Sequence, residues 1–144
     1  MRIRLAGPSD LDRLLEMHAR FCAADDHQFD PEAARTALEP LLVDDRVGLV
    51  WVAEGEEGGG YAIVTWGWSV ESRGRDALLD EIYAEPPGRG IGAALIEAIL
   101  AELKTRESVT RIFLETEEGN EGARRLYRRH GFEVEPSVWM SREL

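Results

Sequence analysis

The segment Leu79–Leu95, LDEIYAEPPGRGIGAAL, carries the change of pattern that decides the fold. Ala77–Ala84 predicts a strand, and from Gly90 to Lys104 the apolar side chains recur at helical spacing. Between them, Glu85–Gly92 is too rich in proline and glycine to continue either element. This part of the chain therefore predicts a strand, a glycine loop and a helix in succession.

Two further strands precede this one. The continuously apolar Val47–Ala53 predicts a strand that is buried on both faces, and Tyr61–Val70 is rich in β-branched and aromatic residues. Because the segments between the three strands, Glu54–Gly60 and Glu71–Asp76, are short, we expect an antiparallel meander.

The two ends of the chain supply the remaining elements. At the N-terminus, Arg2–Leu5 predicts a strand, and two helices follow, the second beginning at Pro31 and broken at Pro40. The first helix has an apolar stripe made of Leu11, Leu14, Leu15, His18, Phe21 and Cys22. Near the C-terminus we predict a strand over Arg111–Glu115, a helix capped by Asn120 and ended by Gly131, and a last strand over Val138–Met140.

This order of elements predicts an α/β (α+β) fold, in which a mixed, mostly antiparallel twisted sheet carries helices on both faces. The 144 residues are expected to form one domain, 1–144, because that length is sufficient for a core without disulfides or metals. Cys22 is the only cysteine, and we expect it to be buried rather than nucleophilic. With no apolar run of about 20 residues and no signal-peptide core, the chain is expected to be cytoplasmic.

The net charge and the spacing of the histidines limit the classes of binding partner that the sequence predicts. The net charge is −11, which repels nucleic acid and attracts cationic molecules, and no membrane partner is expected. The three histidines, His18, His27 and His130, lack the spacing of metal ligands, so no metal is expected.

The glycine loop can cradle a pyrophosphate, because glycines expose backbone N–H groups beside a helix N-terminus. Gly88-x-Gly90-x-x-Ala93, with Glu115 further on, matches a dinucleotide fingerprint. Glu85 with the three glycines is also similar to methyltransferases that bind S-adenosylmethionine. Both alternatives need a parallel sheet that is built mainly after the loop, whereas a third alternative is a tight turn without a ligand.

A resemblance to the GNAT superfamily of acetyl-CoA-dependent N-acetyltransferases covers nearly the whole chain. Three segments carry it: Arg2–Leu15, RIRLAGPSDLDRLL; Leu79–Leu95; and Asn120–Phe132, NEGARRLYRRHGF. The chain departs from the family at Pro87, where an Arg or Gln is usual, and its loop is about two residues shorter. This resemblance implies that acetyl-CoA is the co-substrate. The implied contacts come from backbone or side-chain atoms of Ile82, Tyr83, Ala84, Gly88, Arg89, Gly90, Ile91, Gly92, Ala93 and Asn120.

The resemblance also implies two catalytic residues: Tyr127 as the general acid and Glu81 as the general base. Asp80, Glu71 or Asp76 acting through a water remain alternatives for the base. Adjacent strand residues point to opposite faces, so only one of Asp80 and Glu81 can face the acceptor.

Two further features have open interpretations. Trp66 and Trp68 are expected either to pack in the core or to form a wall of the acceptor pocket. The arginines of the last helix, Arg124, Arg125, Arg128 and Arg129, are expected either to contact the 3′-phosphate of CoA or to face solvent.

The activity that this implies is transfer of an acetyl group from acetyl-CoA to a primary amine, by direct attack in a ternary complex. Expected acceptors are a small-molecule amine, a peptide N-terminus or a lysine. From a different class, a non-catalytic acyl-CoA-binding regulatory module is the alternative. Many members of this superfamily form dimers through their C-terminal strands, so a homodimer is also an expected state.

Overall fold

The computed structural model describes residues 1–144, which form a five-stranded sheet and four α-helices. The strands are β1 (Arg2–Leu5), β2 (Gly48–Gly55), β3 (Gly58–Ser69), β4 (Gly74–Glu85) and β5 (Ile112–Leu114). The helices are α1 (Leu11–Ala24, preceded by a 3-10 turn over Pro8–Asp10), α2 (Pro31–Val43), α3 (Ile91–Lys104) and α4 (Glu121–Arg129). The strands follow one another across the sheet in sequence order. Every pairing is antiparallel except that of β4 with β5, which is parallel.

Helices cover both faces of this sheet, as the sequence predicted. On one face, α1 and α2 contribute Leu14, Met17, Leu38 and Leu42 to an apolar cluster with the side chains of β2 and β3. On the other face, α3 contributes Ile91, Leu95, Ile99 and Leu103 to a second cluster. We call these the α1/α2 face and the α3 face. β2 supplies buried residues to both clusters, which confirms the prediction that this strand is buried on both sides.

Two sequence predictions of local structure are wrong. The second helix is not broken at Pro40 but continues to Val43. Pro40 lies in the last turn of the helix and has no N–H to donate to the carbonyl of Thr36. Both residues are exposed, so water can bind that carbonyl instead. The strand predicted over Val138–Met140 does not form, because the chain after Gly131 pairs with no other strand. Its apolar side chains are exposed instead, 88% for Val138 and 71% for Trp139.

No helix combines the length and the apolar character that crossing a membrane requires.

Candidate active site

The parallel strands β4 and β5 separate halfway along β4. Their last paired residues are Leu79 and Leu114, where β5 ends. β4 continues to Glu85 and remains paired with β3, so on its other side Asp80–Glu85 has no neighbouring strand. The sheet therefore has an open gap beside the part of β4 that contains Ile82, Tyr83 and Ala84. Only one strand follows the glycine loop, which contradicts the dinucleotide and S-adenosylmethionine alternatives.

The glycine loop joins the end of β4 to the start of α3 at this gap. Gly88 and Gly90 have φ angles of 78° and 75°, in the left-handed region that favours glycine. Gly90 is the N-cap of α3 and offers no side-chain cap, so the first N–H groups of the helix keep no partner from it. A Cβ atom at Gly88 or Gly90 would meet nothing within 4 Å, and the space beside the loop is therefore open.

The flanking residues hold this loop in place. Ile91 is 2% exposed and packs into the cluster on the α3 face, while a Cβ atom at Gly92 would lie 3.6 Å from Leu126 of α4. Arg89 points outward, with its Nη1 atom 3.5 Å from Oε2 of Glu57. The start of α3 is thus fixed by packing and lies beside the open space.

A β-bulge in β4 decides which carboxylate faces which side of the sheet. Ile63 pairs with Glu81, but the next residue of β3, Val64, pairs with Leu79, so Asp80 is the extra residue. In a regular strand Leu79 and Glu81 would share a face. Because of the bulge, Leu79 packs on the α3 face and Glu81 reaches the α1/α2 face, where it contacts His18.

Glu81 is held by a small network of hydrogen bonds that spans three elements. The Tyr61 hydroxyl donates to Oε1 of Glu81 over 2.9 Å, and Nδ1 of His18 lies 2.8 Å from the same oxygen. Burial and the neighbouring Glu81 charge raise the pKa of Tyr61 far above its usual value, so this hydroxyl stays a donor. On its other side, His18 has Nε2 3.5 Å from Sγ of Cys22.

Two cavities lie on the α1/α2 face along β4. The smaller, about 80 Å³, contains both Asp80 and Glu81 in its wall, and its remaining lining is His18, Ile63 and α2 residues Ala34, Ala37, Leu38 and Leu41. The larger, about 370 Å³, lies between α1 and the end of β4. Its two arginines are already paired, Arg13 with Glu54 at 2.6 Å and Arg20 with Glu85 at 2.9 Å.

Tyr127 lies on the opposite side of the sheet from Glu81. Its ring packs against the cluster of the α3 face and meets Phe132 edge to face, with centroids 5.9 Å apart. Burial raises the pKa of its phenol. The hydroxyl has no hydrogen-bond partner in the chain. Since every buried polar side-chain atom does have a partner, this oxygen must be exposed to solvent.

The two tryptophans of β3 do not form a wall beside Glu81. Trp66 packs on the α3 face, donates through Nε1 to the carbonyl of Asp45 over 2.7 Å, and lies under the guanidinium groups of Arg75 and Arg106. Trp68 is 79% exposed. Neither tryptophan therefore lines the cavity beside Glu81, and Trp66 packs as the alternative predicted.

The remaining predicted residues lie on α4 and its N-terminus. Asn120 caps this helix by accepting from the N–H of Ala123 over 3.1 Å. Arg124 donates to the carbonyl of Glu117, whereas Arg125, Arg128 and Arg129 are exposed. Cys22 is 4% exposed, as expected, and burial raises the pKa of its thiol. No group of three or more His, Cys, Asp or Glu side chains is arranged to hold a metal ion.

The sequence analysis missed His18 and Tyr61 as parts of the site. Each had a recognisable signal: His18 is the one basic side chain in the apolar stripe of α1, and Tyr61 places a hydroxyl in a strand that is otherwise apolar at this point. A polar group in such a position needs a hydrogen-bond partner, which here is Glu81.

The chain is similar to known proteins in sequence and in fold. A family model described as the acetyltransferase (GNAT) family matches residues 11–132. An integron cassette protein from the mobile metagenome of Cole Harbour salt marsh is 27% identical, with a TM-score of 0.86 over 99% of this chain and 90% of that one.

Two further solved structures are similar. A protein of Arthrobacter sp., for which acetyltransferase activity has been proposed, is 27% identical with a TM-score of 0.85, covering 100% of this chain and 96% of its own. The ribosomal-protein-alanine N-acetyltransferase of Brucella melitensis is 23% identical with a TM-score of 0.76, covering 99% and 100%. No curated protein sequence matches this chain significantly.

Proposed function

Because the chain belongs to the GNAT family of acetyltransferases, we propose that it transfers an acetyl group from acetyl-CoA to a primary amine, by direct attack in a ternary complex. Membership of the family makes acyl transfer the general activity, and acetyl-CoA is the co-substrate of that family. The proposal adds the acetyl donor for this chain, the amine acceptor and the residues that carry out the chemistry.

The observation that carries this proposal is the gap beside Asp80–Glu85, which has a candidate base on one face of the sheet and a candidate acid on the other. A thioester arm lying in the gap would be reached by an amine from the α1/α2 face, where Glu81 lines a cavity. Its sulfur would lie towards the α3 face, where Tyr127 packs. The open space beside Gly88 and Gly90 would then receive the pyrophosphate.

The chemistry can be written as a balanced sequence of proton movements. A primary amine with a pKa near 10 is only about one part in a thousand neutral at pH 7, so it must lose a proton. Glu81 accepts that proton, directly or through a water, and the neutral amine attacks the thioester carbonyl. The N–H of Ala84 stabilises the resulting oxyanion. When the C–S bond breaks, Tyr127 gives its proton to the thiolate and the nitrogen loses its second proton to water. Exchange with solvent then restores Glu81 and Tyr127, and one proton is released overall.

The direct test measures thiol release from acetyl-CoA with a panel of amines, alongside the thermal stability of the protein. Acetyl-CoA should raise Tm, because a ligand that binds only the native state stabilises it, and one or more amines should give release of CoA. Gly90→Val should abolish the Tm shift, since it adds a side chain at a φ of 75° and covers the N–H groups at the start of α3.

The matched control is Gly119→Val, where a Cβ atom also meets nothing within 4 Å but the φ angle is not positive. This variant should keep the full Tm shift. A Tm shift with acetyl-CoA but no thiol release from any amine would favour the non-catalytic binding module. Stabilisation by NAD or S-adenosylmethionine, but not by acetyl-CoA, would overturn the proposal.

A further inference from the structure

The Glu81 carboxylate uses its two oxygens differently. Oε1 lies 2.9 Å from the Tyr61 hydroxyl and 2.8 Å from Nδ1 of His18, whereas Oε2 has no hydrogen-bond partner in the chain. Nδ1 and the Tyr61 hydroxyl are themselves 3.2 Å apart, so the three groups form a closed triangle. An ionised carboxylate only accepts hydrogen bonds, and Nδ1 therefore carries a hydrogen towards Oε1.

The orientation of the His18 ring is fixed by its surroundings. The Phe21 ring stacks on the imidazole with an angle of 26° between the ring planes, and the Phe29 ring meets it edge on. The centroid of each phenyl ring lies 5.9 Å from the centroid of the imidazole. Nε2 lies 3.5 Å from Sγ of Cys22, and because the raised pKa keeps that thiol protonated, the S–H group can donate to an Nε2 that carries no hydrogen. Both ring nitrogens thus have a partner, and the hydrogen on Nδ1 points at Oε1 of Glu81.

From this geometry we infer that His18 is a positioning residue: with Tyr61 it holds Oε1 of Glu81, so that Oε2 stays free to take a proton from the acceptor amine. This inference rests on the proposed function. His18 lies on α1 and Glu81 on β4, so the contact also fixes α1 against the strand that borders the gap. A protonated His18 would place a positive charge beside the Glu81 carboxylate.

Few other charges act on this pair. The titratable groups beside it are Tyr61 from β3, Asp80 from β4 and Cys22 from α1, and Asp25, at the end of that helix, acts on Cys22. From α2, only alanine and leucine side chains line the cavity on this side. Tyr61 and Cys22 both keep their protons, because burial and nearby carboxylates raise their pKa values.

The test compares His18→Ala and His18→Asn with the wild type, using acetyl-CoA and one responsive amine between pH 6 and pH 10. His18→Ala should lower kcat near pH 7 by about 10- to 100-fold, with little change in the KM for acetyl-CoA. This loss should shrink towards pH 10, where about half of the amine is neutral in solution and needs no base. His18→Asn keeps an N–H donor near the position of Nδ1, so it should retain most of the activity at pH 8 while changing the acid limb of the pH profile.

The matched control is His27→Ala and His27→Asn, because His27 is exposed and contacts only Asp25, at 3.3 Å. These variants should follow the wild-type profile. If His18→Ala also follows it, or loses the same fraction of activity at every pH, the inference is wrong. Failure of the proposed function would look different, since the wild type itself would then release no thiol with any amine.

Discussion

At the scale of single residues, the hydroxyl of Tyr127 can be tested without disturbing the fold. It makes no hydrogen bond in the chain, and its ring is held by apolar contacts and by Phe132. Tyr127→Phe should therefore leave Tm and the acetyl-CoA-induced Tm shift almost unchanged. If the phenol protonates the leaving thiolate, kcat should fall by about 10- to 10⁴-fold. The measurement is steady-state kinetics between pH 6 and pH 9, and unchanged turnover across that range would leave Tyr127 as a packing residue only.

The limit of sequence analysis is also clearest at this scale. The positions of Glu81 and Tyr127 followed from their place in two motifs, but the face on which Glu81 lies did not. That depends on the bulge at Asp80, which exists because Ile63 and Val64 pair with residues two positions apart. Pairing register is a property of two strands together, and neither strand carries it alone. The contact of His18 with Glu81 depends on that register, so the sequence alone did not predict it either.

At the scale of elements, prediction succeeded where a local pattern decides the structure. The meander formed because β2, β3 and β4 are joined by short connections, and α3 and α4 begin beside Gly90 and Asn120 as expected. The strand over Val138–Met140 was wrong because a strand also needs a partner, and β5 offers only Ile112–Leu114 as an edge. Pro136 lies just before this segment and has no N–H to donate to the hydrogen bonds between paired strands.

A second element-scale feature joins β1 to the start of α1. Arg4 holds Asp10 by a bidentate pair at 2.8 and 2.9 Å, and Asp10 also accepts from the N–H of Gly7 over 2.8 Å. The hydrogen bonds from Arg4 lower the pKa of Asp10 from 3.8 to about 2. Since the folded pKa is depressed, this contribution to stability is complete above about pH 4 and is lost as the pH falls through 2.

Asp10→Asn should therefore cost about 2 kcal/mol of pH-dependent unfolding free energy at pH 6, and the difference from the wild type should largely vanish near pH 2. Urea unfolding at the two pH values measures this difference. Asp12→Asn is the matched control, because its side chain is 89% exposed and its nearest basic group, on Arg35, is 3.5 Å away. An equal loss for both variants at pH 6 would show that the bidentate pair contributes nothing beyond an exposed charge.

At the scale of the whole molecule, the excess of acidic residues bears on the choice of acceptor. The chain has 28 acidic and 17 basic residues, a net charge of −11. Near the α1/α2 face, Asp80 and Glu81 line the small cavity, and the end of α1 carries Asp25 with Asp26 just beyond it. Arg75, the second residue of β4, is directed away from this cavity, because its guanidinium carbon lies 5.2 Å from the ring centroid of Trp66, which packs on the α3 face.

This charge distribution predicts a preference for small cationic amines over neutral or anionic acceptors, because a negative field raises the local concentration of cations. Salt screens that field over about 10 Å at 0.1 M ionic strength, so the KM for a cationic amine should rise with added salt. The value of kcat should stay nearly constant, since the chemistry acts at short range. An amine panel measured at two salt concentrations tests this, with an uncharged amine as the control whose KM should not respond. Preference for an amino acid or an acidic peptide would contradict the prediction and indicate that exposed arginines such as Arg73 bind an acceptor carboxylate.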